Sequence, residues 1–282
     1  MHDYSTPQTL QAELRRLGGL EPEEIDLAEA ALALATLDRP DSDPERYRHH
    51  LSLLVRDTAE AGARLGADDV LEGRVEALTQ VLVERYGYEG DGKTYDDLQN
   101  ANLMRVIDRR RGLPVALGIL FLHAARAQGW SAAAINFPGH FLVRLELHGE
   151  RLLLDPFHRG RVCDTRDLRE LLKFVLGPDV ELAPKHYAEI GNREVLLRLQ
   201  NNIKLRLLQA EDTERAVAVM EAMLMFAPAT PDLWCDLGLA QARLGNLRAA
   251  VVALDNFLQL GGRDPRRAEV FALLQQLRRK LN

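Results

Sequence analysis

His140 and Asp155 are the residues whose types and setting most suggest chemistry. They stand in Pro-Gly-His-Phe (138–141) and Asp-Pro-Phe (155–157), on either side of His148-Gly149, a two-residue turn signal. From His140 to Leu147 the chain alternates, with Phe141, Val143, Leu145 and Leu147 on one face, and Arg151 to Asp155 returns. An antiparallel hairpin is expected. If Leu147 faces Glu150, then Asp155 faces Leu142, on the same side of its strand as His140. The carboxylate then lies diagonal to the imidazole, within side-chain reach and hydrogen-bonded to it. A slip of one residue would undo this relation. Such a pair can serve as base and orienter, or it can be a satisfied buried polar pair.

The nearby thiol is Cys163, in Val162-Cys163-Asp164, just before a helix opened by Asp164-Thr165-Arg166-Asp167. A helix N-terminus can activate a cysteine; a small buried residue is the competing reading. Ser131 precedes a strand with no base near it in sequence, and His123 sits mid-helix among apolar residues, as core or edge. No His, Cys and carboxylate spacing suggests a metal, and no cofactor is expected. Arg109, Arg110 and Arg111 lead into a helix starting at Pro114, while His158, Arg159 and Arg161 follow Asp155-Pro156-Phe157. A helix N-terminus attracts anions. These residues, with Asn136, His140 and Asp155, are therefore expected to line a cleft for a small anion or acidic peptide, against the plain alternative of solvated surface charge.

Three segments resemble the transglutaminase-like (papain-related) core of the SirB-type family, in which tetratricopeptide units follow that core. They are Arg-Arg-Gly-Leu-Pro at 110–114, Asn136-Phe137-Pro138-Gly139-His140-Phe141, and Asp155-Pro156-Phe157, within a resemblance spanning roughly residues 30–270. The resemblance implies a Cys at the start of the core helix, a His on a following strand and an Asp on the next. His140 and Asp155 fill two of these places. The third falls on Pro114, which has no nucleophilic atom, and Leu113, Val115 and Ala116 supply none. The resemblance thus implies a pseudoenzyme with a binding, scaffolding or regulatory role, SirB-type proteins being associated with regulation in bacteria. The alternative is a hydrolase or acyltransferase with His140 as base, Asp155 as orienter, and water or Cys163 as nucleophile. The thiol version requires the Cys163 sulfur within hydrogen-bond reach of the His140 ring.

The elements that must position these residues form an α+β chain. Residues 1–95 read as a helical region, with starts at Thr6-Pro7, Pro22 and Asp43-Pro44 and a fourth helix from Asp69 to Tyr86. Residues 96–187 read as the core, with an apolar helix from Pro114 and an antiparallel sheet. Residues 188–282 read as a helical array, because Glu214–Glu221 aligns with Arg248–Asp255 at an offset of 34 residues, the tetratricopeptide period. Trp234-x-x-Leu237-Gly238 supports this, and Ala268 to Lys280 reads as a capping helix. The array is expected to dock a protein or peptide partner through Asn201, Asn202, Lys204 and Arg206 on one side and Asp236, Gln241 and Arg243 on the other; mere solvation is the alternative.

Over 282 residues, 46% hydrophobic and 28% charged, the composition is that of a globular protein. A formal net charge of −6 argues against a general nucleic-acid partner. No run is long and apolar enough for a membrane span. Met1-His2-Asp3-Tyr4 does not open a signal peptide, and Cys163 and Cys235 are far apart, so a cytoplasmic protein with reduced thiols is expected.

Overall fold

The computed structural model describes residues 6–281. Helix α1 (Pro7–Gly18) starts at Thr6, whose hydroxyl and backbone exchange bonds with Thr9, and Pro7 occupies its first turn. A 3-10 turn, Pro22–Glu24, leads into α2 (Leu27–Ala35), capped by Asp26. Helix α3 (Pro44–Leu65) starts at Asp43 and stops at Gly66, whose φ of 64° glycine adopts without strain. Helix α4 (Leu71–Leu78) passes into a π-helical segment, Thr79–Arg85. The single helix expected from Asp69 to Tyr86 thus changes hydrogen-bond pattern halfway. Then come β1 (Glu89–Gly90), α5 (Leu103–Arg109), β2 (Arg111–Gly112), parallel to β1, and α6 (Pro114–Arg126).

The sheet follows: β3 (Ser131–Ile135), β4 (Leu142–Leu147), β5 (Glu150–Asp155) and β6 (Arg161–Cys163), then α7 (Thr165–Leu176) and β7 (Glu189–Ile190). Its order is β6-β5-β4-β3-β7 and every pairing is antiparallel. Leu147 pairs with Glu150 and Val143 with Leu154, the register expected from the hairpin. His148 and Gly149 both take positive φ, 51° and 86°, as a two-residue loop matched to strand twist requires. On one face, α6 packs so closely that a Cβ at Gly118 would lie 2.2 Å from the Phe141 ring. On the other, Ile135, Leu142 and Cys163 form an apolar cluster with Leu168 and Leu172 of α7.

The chain ends in α8 (Asn192–Gln209), α9 (Thr213–Phe226), α10 (Pro231–Arg243), α11 (Leu247–Leu260) and α12 (Arg267–Leu281). Contacts sort the described residues into two compact units, residues 21–199 and residues 6–20 with 200–281. Helix α1 therefore counts with the C-terminal helices, not with the N-terminal helical segment in which the sequence places it. It packs on α9, where a Cβ at Gly18 would meet the Met225 carbonyl oxygen at 2.5 Å. In the same unit α10 packs on α11 and α11 on α12. Gly238, from the repeat signature, lies under Leu254, where a Cβ would come within 2.4 Å. Among the described residues no helix is long and apolar enough to cross a membrane.

Gly118→Ala tests the contact between helix and sheet. Its methyl would overlap Phe141, so the variant should unfold about 1–3 kcal/mol more easily in urea, despite alanine's better helix propensity. An unchanged midpoint would place the Phe141 ring elsewhere.

Candidate functional site

Asp155 ends β5 with 1% of its surface exposed. Its Oδ1 accepts the backbone N–H groups of Phe157 (3.0 Å) and His158 (3.1 Å), closing the turn after the strand. Its Oδ2 accepts from His158 Nδ1 at 2.7 Å and lies 2.8 Å from His140 Nε2. Burial works against the carboxylate's charge, but the two imidazoles outweigh it, and the Asp155 pKa is held below its ordinary value.

The contact expected between His140 and Asp155 is present, with His140 Nε2 2.8 Å from Asp155 Oδ2. That nitrogen is buried without an aligned hydrogen-bond partner. The reason is local: His140 precedes β4, in a turn closed by its own N–H to the Phe137 carbonyl at 2.9 Å, so the strand does not set its ring direction. The aligned partner is His158, which sequence reasoning grouped with the arginines. The signal was the Asp-x-x-His spacing, because a carboxylate that caps residues two and three positions ahead brings the third side chain back to itself. Arg198 donates to the His140 carbonyl and lies over the Phe141 ring, 5.7 Å from its centroid.

Pro114 occupies the first turn of α6 and is buried; Leu113 at the cap offers no side-chain hydrogen bond. Gly118, one turn on, packs against Phe141, the neighbour of His140. Cys163 closes β6, and its sulfur's hydrogen-bond partner is the Arg161 carbonyl at 4.0 Å, not the His140 ring. Burial, then the Asp155 charge, push its thiol up to about 11. The helix α7 that follows is capped by Asp164, which bonds the N–H groups of Arg166 and Asp167.

The two arginine segments do meet, at Glu89, which pairs with Arg111 (2.8 Å) and Arg159 (3.3 Å). Each guanidinium is engaged. Arg109 binds Asp91 and the Asn100 side-chain oxygen, both at 2.7 Å. Asp91 also takes two bonds from Thr94; burial opposes its charge, yet these bonds and Arg109 hold its pKa well below normal. Arg161 pairs with Asp167 at 3.1 Å. Asn136 is exposed in the turn after β3. Arg110, in the left-handed conformation that ends α5, donates to the Tyr88 hydroxyl and, at 2.6 Å, to His50 Nε2. That nitrogen accepts, so His50 is neutral; burial, then the Arg110 charge, drive its pKa down to about 4.

In the repeats, Lys204 is buried and paired with Asp236 at 2.6 Å. Lys204, expected among the partner-facing residues, thus has its ammonium against a carboxylate of the array itself. Arg206 folds back onto Asn202, donating to its carbonyl and its side-chain oxygen at 3.0 Å each. Gln241 is buried between Glu221 (3.2 Å) and Asn246 (2.8 Å). Asn201 is half-buried and Arg243 exposed. Gln241 lines a groove of about 720 Å³ with Arg15, Trp234, Leu237, Arg248 and Val252.

Residues 45–201 match the transglutaminase-like superfamily, and residues 203–275 match the tetratricopeptide repeat. The chain belongs to the transglutaminase-like superfamily. It is 30% identical over 248 residues to a UPF0162 protein of Xylella fastidiosa, covering 86% of this chain and 87% of that one. A UPF0162 protein of Vibrio cholerae is 30% identical over 242 residues, with 86% and 88% covered. Protein SirB1 of Salmonella typhimurium is 27% identical over 253 residues, with 89% and 93% covered.

The His50 environment sets a pH dependence. Its folded pKa lies below the free value, so its share of stability is full above about 6.5 and is lost as the pH falls toward 4. An NMR titration of the His50 ring should show a midpoint near 4. A midpoint near the ordinary 6.5 would mean the ring is not locked against Arg110.

Proposed function

We propose that this member of the transglutaminase-like superfamily is a binding and regulatory protein that does not run the superfamily's thiol chemistry. The carrying observation is Pro114 in the first turn of α6, at the position to which the family resemblance assigns the cysteine, where neither Pro114 nor its neighbours offers a nucleophile. The imidazole and carboxylate then act as a polar site rather than as parts of an acyl-transfer triad. The alternative with Cys163 as nucleophile finds no support in its geometry: the sulfur faces the α7 cluster, its hydrogen bond goes to Arg161, and its thiol stays protonated near neutral pH. The reading rests on the imidazole and carboxylate rather than on the arginines, each of which has a carboxylate, amide, imidazole or phenol partner in this chain.

Partner docking falls to the repeats. The groove near Gln241 supports this, with Leu237 and Trp234 as apolar floor and Arg15 and Arg248 beside them. Val252 is 60% exposed in its wall, and a large exposed apolar side chain in a groove suits an inserted peptide. Lys204 and Asp236 join α8 to α10, Arg206 folds onto Asn202 within α8, and Arg243 adds surface charge.

Val252→Glu places a charge in this groove at an exposed position. A protein captured from lysate by the intact chain, and identified by mass spectrometry, should be lost from the variant at least tenfold while the thermal midpoint stays within about 1 °C, as for a surface change. Equal capture by both proteins would remove the groove as the docking site.

A further inference from the structure

The Asp155 carboxylate divides its work between its two oxygens. Oδ1 is taken by the backbone N–H groups of Phe157 and His158, which fixes the direction of the carboxylate. Oδ2 is left facing two imidazole nitrogens, His158 Nδ1 at 2.7 Å and His140 Nε2 at 2.8 Å. The His140 nitrogen is buried and lacks an aligned hydrogen-bond partner, so a polar atom points into the cluster without its bond being made. These three atoms lie within 4.8 Å of one another.

Two imidazole nitrogens and one carboxylate oxygen are the donor set of a first-row divalent transition ion, and two nitrogen donors disfavour Mg²⁺ and Ca²⁺. Bonds of about 2.0–2.2 Å hold neighbouring donors roughly 3.0–3.5 Å apart, so the two nitrogen–oxygen distances would open by about half an ångström. The surroundings suit such a site. The His140 main chain is held through its carbonyl by Arg198, the carboxylate by its two backbone bonds, and such outer contacts orient metal ligands. The Phe157 ring meets both imidazoles edge-on, at centroid distances of 6.3 Å to His140 and 5.2 Å to His158, and Tyr95 packs against it at 5.8 Å. The His158 side chain is 57% exposed, so an ion can enter from solvent and keep water on its open side. The nearest arginines in sequence, Arg159 and Arg161, are paired with Glu89 and Asp167, which reduces their repulsion of a dication.

We propose that His140 Nε2, Asp155 Oδ2 and His158 Nδ1 bind one divalent transition ion of the zinc class, with water completing its coordination. The site is independent of partner docking by the repeats.

The test uses the full chain, stripped with chelator and titrated calorimetrically with Zn²⁺, Co²⁺ and Mg²⁺. The expected result is one Zn²⁺ or Co²⁺ per chain, visible absorption bands on Co²⁺ loading, and no comparable Mg²⁺ binding. His158→Ala should weaken Zn²⁺ binding at least 100-fold, since even outer contacts are worth about 10–100-fold. That side chain is largely exposed, so the variant should remain folded by circular dichroism even where His140→Ala does not. His148→Ala, in the exposed hairpin turn, should change nothing. Absence of stoichiometric binding to the intact chain would overturn the proposal, and so would Zn²⁺ affinity unchanged in His158→Ala. Neither result touches the docking reading, whose test is capture of a partner by the repeats.

Discussion

Removing a carboxylate from water costs several kcal/mol unless both oxygens find donors. Asp155 is almost wholly buried, and the surrounding turn is built to meet that demand. The chain bends after β5 so that two of its own N–H groups reach one oxygen, and the same bend carries the His158 ring to the other. His140 arrives from the far side of the hairpin. Without the Val143–Leu154 register these groups would not meet, and without the Phe141–Gly118 contact the segment before β4 would not be held against α6.

A second layer of charge pairing braces the entrance to α6. Asp91 with Arg109, and Glu89 with Arg111 and Arg159, tie β1, β2 and the loop after β5 together. Gly90 permits this: a Cβ there would meet the Phe157 ring at 2.5 Å, so the strand backbone lies directly against the aromatic that flanks both imidazoles. The positive segment thereby spends part of its donor capacity on internal bonds.

Features with a local cause were legible in the sequence. The hairpin register follows from alternation and a His-Gly turn, and the repeats from a period of 34 residues. The helix starts at Thr6 and Asp43 follow from capping chemistry. What depended on distant partners was not legible. Nothing near Lys204 announces Asp236, and nothing near Arg110 announces His50. Nor does the helical pattern after Asp69 show where α-type bonding yields to π-type. The Asp155–His158 bond is the exception, since its cause, the Asp-x-x-His spacing, is local.

The place of α1 bears on how the chain is made. It is synthesised before the sheet-bearing unit, yet the surface it covers belongs to α9, which follows that whole unit. At ordinary rates of synthesis, ~5–20 residues per second, α1 waits about ten seconds or more for its partner. A twelve-residue helix is marginal by itself, so during that wait Leu10, Leu14 and Leu17 present an uncovered apolar stripe. The sheet-bearing unit can assemble meanwhile, but the C-terminal unit can close only once the last repeats have left the ribosome. For that interval the nascent chain carries, ahead of the sheet-bearing unit, a short sticky segment of the kind that chaperones engage.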